Sequence, residues 1–420
     1  MNKINIAVLG SGGREHALSW KLSQSTISAK VFTIPGNGGI PNSVPLNPED
    51  FPVLIDWCKT NDISLVVVGP EVLLEAGVVD QLRSAGIAVF GPTKSAARLE
   101  GSKSWAKHFM KKYGVSTAKY TVIEKPSSKE EIYKAMLSYG YRVVLKFDGL
   151  AAGKGVFVCN DHNEINKAID EYWLKFGSKG SVVIEELLEG PEISIIAITD
   201  GTSIKFFQPA QDHKRLLDGD NGPNTGGMGA YSPVRQCTPE LFEKIRQFIV
   251  EPTLRGIREE QLDYKGFIYF GILVQGSTPY LLEYNVRMGD PETQVLLPSL
   301  ESDLADAILK TLDWSLNTVK WEFSGKQYVG VALVSGGYPG THVNGYELTG
   351  TEAISDDALL FYSAVKLGAG GKLITAGGRV LNVVASDADF ESAREKAYDA
   401  CEKIHFTDMF YRKDIGSRNL

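Results

Sequence analysis

One polar strand carries residue types suited to metal-assisted chemistry. In residues 280–285 (YLLEYN) the two-residue period of a strand places Glu283 and Asn285 on one face. Both supply oxygen, which Mg²⁺ prefers when it is held jointly with nucleotide phosphates, although an exposed strand would show the same polar alternation. Arg287 follows, and a fixed guanidinium beside a metal stabilises charge that develops during phosphoryl or acyl transfer. The pattern therefore favours such a transfer reaction.

A lysine within an apolar strand indicates a second site. Lys146 lies in the sequence VVLKF, and a buried ammonium needs an anionic partner such as a triphosphate. A lysine on an edge strand could instead reach solvent. Residues 149–155 (GLAAGKG) follow but lack the spacing and the Ser or Thr of a Walker A loop. They are typical of a glycine-rich flap that closes over phosphates between two antiparallel strands.

The acidic segment 182–192 (VVIEELLEGPE) comes next along the chain. A strand that ends in a short linker can offer backbone groups to an adenine edge, and a later carboxylate can accept hydrogen bonds from ribose hydroxyls. A solvated turn is the alternative interpretation.

Loops at the ends of the first strands suggest a site for a small phosphorylated ligand. Residues 10–16 (GSGGREH) lie where a strand turns into a helix, a position where backbone amides bind phosphate, although a tight turn needs the same glycines. Glu15 replaces the third glycine of a dinucleotide fingerprint, which makes NAD binding improbable. The loops 36–39 and 69–71 should line the same crevice.

A long glycine-rich loop covers residues 218–229 (DGDNGPNTGGMG), shortly after the sequence DHKR. Loops of this length inside a compact chain are usually functional. The six histidines form neither a metal-ligand spacing nor a nucleophile pair, so histidine chemistry is not expected.

The pattern of elements predicts how these residues are positioned. The first hundred residues alternate short β-branched strands with helices, which predicts a parallel sheet. Strand pairs follow, and we expect antiparallel pairing of 143–147 with 155–158 and of 182–186 with 193–198. After residue 325 short strands and a final helix predict a separate α+β domain. The predicted domains are 1–102, 103–325 with a small lobe at about 120–192, and 326–420.

Composition limits the function classes. The 420 residues have a net charge of −7 and no long run of Lys or Arg, so a nonspecific nucleic-acid binder is not expected. Four separated cysteines argue against a zinc site and a disulfide framework. No signal-peptide pattern is present and no apolar stretch approaches 18 residues, so we expect a cytoplasmic protein without membrane spans.

The motifs together resemble the glycinamide ribonucleotide synthetase family of the ATP-grasp superfamily over essentially the whole chain. The most specific strings are GPNTGGMGAYSP and NVRMGDPETQ; GSGGREHAL, PGNGG, VGPE, LEGSK, KFDGLAAGKGV, QDHKR and YRKDIG keep the family's order. The resemblance implies an α/β and α+β multidomain fold: an N-terminal Rossmann-like parallel sheet, an ATP-grasp core of two α+β lobes, and a C-terminal α+β domain that packs back against the site.

The resemblance also implies roles for individual residues. The residues that would bind the ATP phosphates or form the flap are Lys103, Lys146, Gly149, Gly153, Lys154 and Gly155. Glu186 and Leu188 would contact adenine through their backbones, and Glu192 would contact the ribose. Glu283 and Asn285 would bind Mg²⁺ or Mn²⁺. Arg287 and Lys146 would be catalytic. Phosphoribosylamine and glycine would contact Gly10, Gly12, Gly13, Arg14, Glu15, Asn37, Gly69, Pro70, Glu71, Asp212, Lys214, Arg215, Asn224, Thr225, Gly226 and Gly227.

The implied reaction is an ATP-dependent, ADP-forming ligation of glycine to 5-phosphoribosylamine through glycyl phosphate, a step of de novo purine biosynthesis. The small departures from the family, Gly39 in PGNGG and Met288 in NVRMG, remove no charged group. Two alternatives remain: an ATP-grasp carboxylate–amine ligase with another acceptor, and a noncatalytic nucleotide-binding protein. Oligomeric state is left open between monomer and dimer.

Overall fold

The computed structural model describes residues 3–149, 155–355 and 357–419. Its N-terminal sheet is parallel, with strand order β2-β1-β3-β4. Gly10 pairs with Pro35 and Leu9 with Val68, so the loops that follow β1, β2 and β3 meet at one edge. This confirms the predicted parallel sheet. The elements are β1 (Ile4–Gly10), α1 (Gly13–Ser23), β2 (Ser28–Pro35), α2 (Phe51–Thr60), β3 (Ile63–Val68), α3 (Glu71–Ala76), α4 (Val78–Ser84), β4 (Val89–Phe90) and α5 (Lys94–Gly101).

A small antiparallel lobe follows helix α6 (Lys103–Tyr113). Its sheet has the order β5-β8-β6-β7, and Lys146 pairs with Val156 as predicted. Two helices cover the sheet and enclose an apolar core of its own around Leu145, Ile165 and Tyr172. The elements are β5 (Tyr120–Glu124), α7 (Lys129–Leu137), β6 (Val143–Phe147), β7 (Val156–Cys159), α8 (His162–Phe176) and β8 (Ser181–Glu186).

A second antiparallel sheet forms the larger lobe, with the order β10-β9-β15-β16. The predicted pairing of 182–186 with 193–198 is wrong. Strand β8 pairs with β5 and β6 in the small lobe, whereas β9 pairs with β10 and β15. The chain changes sheets within the Gly190-Pro191 turn, where a positive φ at Gly190 redirects the backbone. The strands are β9 (Glu192–Thr199), β10 (Ile204–Phe206), β15 (Gly266–Gln275) and β16 (Thr278–Asn285).

Between β10 and β15 lie the elements that carry the long glycine-rich loop. Helices α9 and α10 are joined by a π-helical turn at Arg246–Val250. The elements are β11 (Gln211–Asp212), β12 (Arg215–Leu217), β13 (Asn221–Asn224), β14 (Gly229–Ser232), α9 (Pro239–Ile245) and α10 (Glu251–Glu259).

The C-terminal sheet extends into this loop region. Its order is β11-β14-β17-β21-β18, and Gly229 of β14 lies opposite Val331 of β17. Strands β11 and β14 therefore belong to the same sheet as the C-terminal strands, which the sequence did not predict, whereas β12 and β13 form a separate two-stranded sheet. The elements are α11 (Glu292–Ser299), α12 (Leu304–Leu312), β17 (Gln327–Ser335), β18 (Ala358–Tyr362), β19 (Val365–Leu367), β20 (Leu373–Thr375), β21 (Arg379–Asp387), α13 (Phe390–Lys403) and β22 (Met409–Phe410).

Within these described ranges, every helix is too short or too polar to cross a lipid bilayer.

Candidate active site

The backbone of the loop after β1 is hydrogen-bonded to a side chain from the first turn of α1. Gly12 N donates to Glu15 Oε2 at 2.7 Å, and Glu15 Oε1 forms an ion pair with Arg14 Nε at 2.5 Å. A Cβ atom at Gly10 or Gly69 would overlap the Glu15 side chain, which explains the glycines at both positions. The Gly12 amide is thus already paired with a carboxylate in this conformation.

Asn37, in the loop after β2, joins this edge of the parallel sheet to the C-terminal sheet. Its Nδ2 donates to the carbonyl oxygens of Ser11 at 2.7 Å, Ser363 at 2.8 Å and Tyr362 at 3.1 Å. Tyr362 N in turn donates to His16 Nδ1 at 2.9 Å. The side chain that was predicted to bind substrate therefore has structural partners here; its role toward substrate stays a prediction.

The third loop of the edge meets the polar strand through Glu71. Glu71 Oε2 lies 3.1 Å from Arg287 Nε and 3.7 Å from Arg14 Nη1. Burial raises the pKa of Glu71, but the two guanidiniums lower it more, so that the net pKa lies below its usual range. The structure therefore brings the predicted residues Arg14, Glu71 and Arg287 together at one junction.

Lys103 lies at the base of the predicted flap. Helix α6 begins at this residue because Ser102 caps it: Ser102 Oγ accepts from Trp105 N at 3.2 Å. Lys103 Nζ donates to Gly149 O at 2.8 Å. Burial lowers the pKa of Lys103, while the nearby Glu283 carboxylate acts against this shift. Among the flap residues, Gly149 and Gly155 belong to the described ranges, whereas Gly153 and Lys154 lie outside them.

Lys146 finds the anionic partner that its burial requires, and that partner is Glu185 of β8. Lys146 Nζ lies 2.9 Å from Glu185 Oε1 and donates to Leu282 O at 3.2 Å. A second buried ammonium, Lys107 Nζ, lies 3.2 Å from the same carboxylate oxygen. Burial raises the pKa of Glu185, but the two lysines lower it more, so the carboxylate is held ionised. Burial lowers the pKa of Lys107 to about 8.

The predicted metal residues lie on strand β16, beside these cations. A bulge opposite Gly271 and Ile272 keeps Glu283 paired with Gly271, and Asn285 pairs with Tyr269. Both side chains are partly exposed, as an inner-sphere ligand requires. The carboxylate of Glu283 also acts to raise the pKa of Lys214 and of Arg287, so it belongs to the same charged cluster.

The linker between the lobes carries the predicted nucleotide contacts. Glu186 accepts from Lys119 N at 2.7 Å through its side chain. In the described part of the chain, the backbone amide of Leu188 has no hydrogen-bond partner, so it is available to a ligand. Glu192 Oε2 forms an ion pair with Lys214 Nζ at 2.6 Å, and Lys214 holds the pKa of Glu192 below its usual range.

Thr225 and Gly226 of the glycine-rich loop are hydrogen-bonded to neighbouring segments, whereas the hairpin that precedes them is exposed. Thr225 N donates to Lys214 O at 2.7 Å, and Arg379 Nη1 donates to Gly226 O at 2.5 Å. Arg215 and Asn224 pair with each other on an exposed hairpin, so they do not join the buried cluster.

Asp212 is partly buried under the loop, and its Oδ1 atom is fully buried. Burial raises its pKa well above its usual range, and the nearby Glu292 carboxylate raises it further. Within the residues described, its Oδ1 atom has no hydrogen-bond partner. Gly227 has a φ of +112°, and a Cβ there would overlap Pro291 and approach this oxygen to 2.9 Å, which explains the glycine.

Comparison with known proteins identifies the family. Models of phosphoribosylglycinamide synthetase match residues 4–100 (N domain), 101–293 (ATP-grasp (A) domain) and 328–418 (C domain). The chain belongs to the phosphoribosylglycinamide synthetase family. The predicted family, its ligase function and the multidomain ATP-grasp fold are thereby confirmed.

Similar proteins agree with this membership. A phosphoribosylamine–glycine ligase of Clostridium acetobutylicum is 44% identical over 419 residues, which cover 98% of this chain and 99% of that protein. The crystal structure of a phosphoribosylamine–glycine ligase from Thermotoga maritima has a TM-score of 0.84 at 36% identity, covering 98% of this chain and 100% of that one. A biotin carboxylase from Campylobacter jejuni, at 16% identity and a TM-score of 0.69 over 96% of this chain and 92% of that one, shares the fold.

Several charged residues of this synthetase family member were not predicted from the sequence. Lys107 follows Lys103 by one helical turn, so the spacing alone could have placed both on one face of α6. Glu185 is buried beside the predicted Glu186, and the two-residue period of β8 points it to the other face. Glu100 is the second residue of the LEGSK string, and nothing in its spacing indicates its partner Arg287.

Proposed function

We propose that this chain joins glycine to 5-phosphoribosylamine with the cleavage of ATP to ADP and phosphate, through glycyl phosphate, to give glycinamide ribonucleotide in purine biosynthesis. The observation that carries the proposal is the cluster at the junction of three sheets: Lys103, Lys146, Glu283, Asn285 and Arg287. A cluster of cations beside oxygen ligands suits transfer of an anionic group rather than nucleophilic catalysis by a side chain.

ATP lies between the two lobes in this proposal. Lys103 and Lys146 are two cations for the phosphates at the base of the flap, formed by residues 149–155. The linker after β8 supplies adenine contacts from the backbones of Glu186 and Leu188, supported by the available Leu188 amide. Glu192 would meet the ribose, which requires it to share its carboxylate with Lys214, 2.6 Å away.

Mg²⁺ or Mn²⁺ fits the donors on β16. Over the described ranges, no group of three or more His, Cys, Asp or Glu side chains could hold a metal by itself. Glu283 and Asn285 therefore suit an ion that takes its other ligands from phosphate oxygens and water, as Mg²⁺ does in nucleotide enzymes. When bound, the ion would neutralise charge on the transferred phosphoryl group.

The chain's own residues have two tasks in the reaction. Lys103 and Lys146 hold the phosphates in line for attack by the glycine carboxylate on the γ-phosphorus; the bond from that phosphorus to the bridging oxygen breaks, and ADP leaves. Arg287 stabilises the acyl phosphate that results. The amine of phosphoribosylamine then forms the C–N bond as the acyl C–O bond breaks, phosphate leaves with the bonding electrons, and the nitrogen loses a proton.

Phosphoribosylamine and glycine would enter from the edge of the parallel sheet. The residues proposed to contact them are Gly10, Gly12, Gly13, Arg14, Glu15, Asn37, Gly69, Pro70, Glu71, Asp212, Lys214, Arg215, Asn224, Thr225, Gly226 and Gly227. The Oδ1 atom of Asp212, unpartnered among the described residues, and the buried charges of Arg14 and Glu15 at the start of α1 support this direction. We also keep as proposals the domains 1–102, 103–325 and 326–420, and a cytoplasmic location.

Replacement of Glu283 by Ala tests the metal assignment. Turnover should be lost, because one of two protein ligands disappears, while the circular dichroism spectrum stays unchanged. A matched control is Glu243→Ala, which removes an exposed carboxylate paired with Arg246. Full activity of Glu283→Ala at saturating Mg²⁺ would refute the assignment.

A further inference from the structure

Arg287 is paired with two carboxylates, Glu71 and Glu100, that precede the proposed ATP-grasp core (103–325) in the chain. Glu71 Oε2 lies 3.1 Å from Arg287 Nε, and Glu100 Oε1 lies 2.9 Å from Arg287 Nη2. Arg287 Nη1 donates to Met288 O at 3.2 Å. Each of the three guanidinium nitrogens therefore has a partner, and the partners fix the plane of the group.

The arrangement leaves donors for a ligand. A guanidinium carries five N–H groups, one on Nε and two on each terminal nitrogen. If the partner of each terminal nitrogen takes one N–H, one N–H on Nη1 and one on Nη2 remain. A pair of parallel donors of this kind matches the oxygens of a carboxylate or phosphate.

Glu100 has a second task that ties the guanidinium to the backbone. Its Oε2 accepts from Val286 N at 2.7 Å, one residue before Arg287. The side chain is buried, at 8% exposure, so water does not compete for these bonds. One carboxylate thus holds both the main chain and the side chain of the arginine segment.

We infer that Glu100, together with Glu71, is a positioning residue that orients the Arg287 guanidinium for the acyl phosphate. The residues preceding the core, from the strings VGPE and LEGSK, therefore set the geometry of a residue that belongs to the phosphoryl-transfer site. Neither carboxylate needs to touch a substrate to do this. The inference rests on the role proposed above for Arg287.

The test compares four variants of the full chain in steady-state ligation: Glu100→Gln, Glu71→Gln, Arg287→Ala and Glu100→Gln/Arg287→Ala. Glu100→Gln should lower kcat about 10- to 100-fold, the range expected for a displaced catalytic group, with KM for ATP changed less than about threefold. If Glu100 acts through Arg287, the double variant should be no slower than Arg287→Ala. Glu71→Gln, whose side chain is 25% exposed, keeps the test open should Glu100→Gln fail to fold.

Asp263→Asn is the matched control. Asp263 pairs with Arg83 of α4 at 2.7 Å, so it also links the N-terminal elements to the core, but it lies outside the site. It should leave kcat unchanged. Two results would overturn the inference alone. One is a double variant whose fall in kcat is the product of the two single falls; the other is normal kcat in both glutamine variants while Arg287→Ala is slow. Normal turnover of Arg287→Ala, or no ligation by the unmodified protein, would instead overturn the proposed function and the inference with it.

Discussion

Glu185 is the centre of a buried cluster whose disruption has a predictable cost. Its carboxylate is 2% exposed and lies between two ammonium groups, those of Lys146 and Lys107. The substitution Glu185→Gln keeps the shape of the side chain and removes its charge. Two buried cations then face a neutral amide.

The magnitude follows from the distances. At 2.9 Å and 3.2 Å, with an effective dielectric constant of about 20, the two attractions are about 6 and 5 kcal/mol. Relief of the carboxylate's desolvation offsets part of this, and removal of one partner from a buried ion pair costs about 3–5 kcal/mol overall. We expect Glu185→Gln to lower the free energy of unfolding by about 3 kcal/mol at pH 7.

The loss of unfolding free energy caused by Glu185→Gln should be smaller at higher pH. Lys107 has a pKa of about 8 in the folded protein, against 10.5 for an ordinary lysine, and loss of Glu185 would lower it further. Lys107 is therefore deprotonated at a lower pH in Glu185→Gln than in the wild type. By pH 9 the Lys107 side chain is mostly neutral in both proteins, so the difference in stability should narrow between pH 7 and pH 9.

Urea unfolding at pH 7 and pH 9 measures both effects. Glu186→Gln is the matched control, because it changes the adjacent, partly exposed glutamate, and its cost should stay below about 1 kcal/mol. The reasoning fails if Glu185→Gln costs no more than Glu186→Gln at pH 7, or if its cost is the same at both pH values.

Two further predictions concern buried groups. His213 is fully buried, and burial lowers its pKa to about 3, so the folded state binds fewer protons than the unfolded state as pH falls below 6.5. From pH 7 to pH 5 the wild type should therefore lose about 2 kcal/mol more stability than His213→Phe, whereas the exposed control His108→Phe should match the wild type in urea unfolding; equal losses in all three proteins would contradict this. Gly69→Ala should cost about 1–3 kcal/mol, because its Cβ overlaps Glu15. Thermal unfolding should show part of that loss recovered in Gly69→Ala/Glu15→Ala, and strictly additive losses would contradict the packing argument.

Local patterns in the sequence predict much of this molecule. The alternation of strands and helices predicts the parallel sheet, and the period of β16 places Glu283 and Asn285 on one face. A lysine in an apolar strand predicts a buried ammonium with an anionic partner. In the structure that partner is Glu185, and contact of Lys146 with a triphosphate stays a prediction. These features depend on neighbours within a few residues, where the pattern is informative.

Pairings between residues that are distant in the sequence could not be predicted from local patterns. Strand β8 looks like the partner of β9, but the turn at Gly190 sends them into different sheets. Strands β11 and β14 join the C-terminal sheet through contacts roughly a hundred residues away. Glu100 and Arg287 are brought together in the same way, and only the tertiary fold reveals the pair.

The most direct test of the account is ADP release by the unmodified protein with Mg²⁺, ATP, glycine and phosphoribosylamine, formed in situ from ribose 5-phosphate and ammonia. Each substrate is omitted in turn, and the product is identified by mass. The account predicts ADP release that requires both glycine and phosphoribosylamine, together with glycinamide ribonucleotide. ATP binding without this turnover, or ADP release that continues without either acceptor, would contradict it.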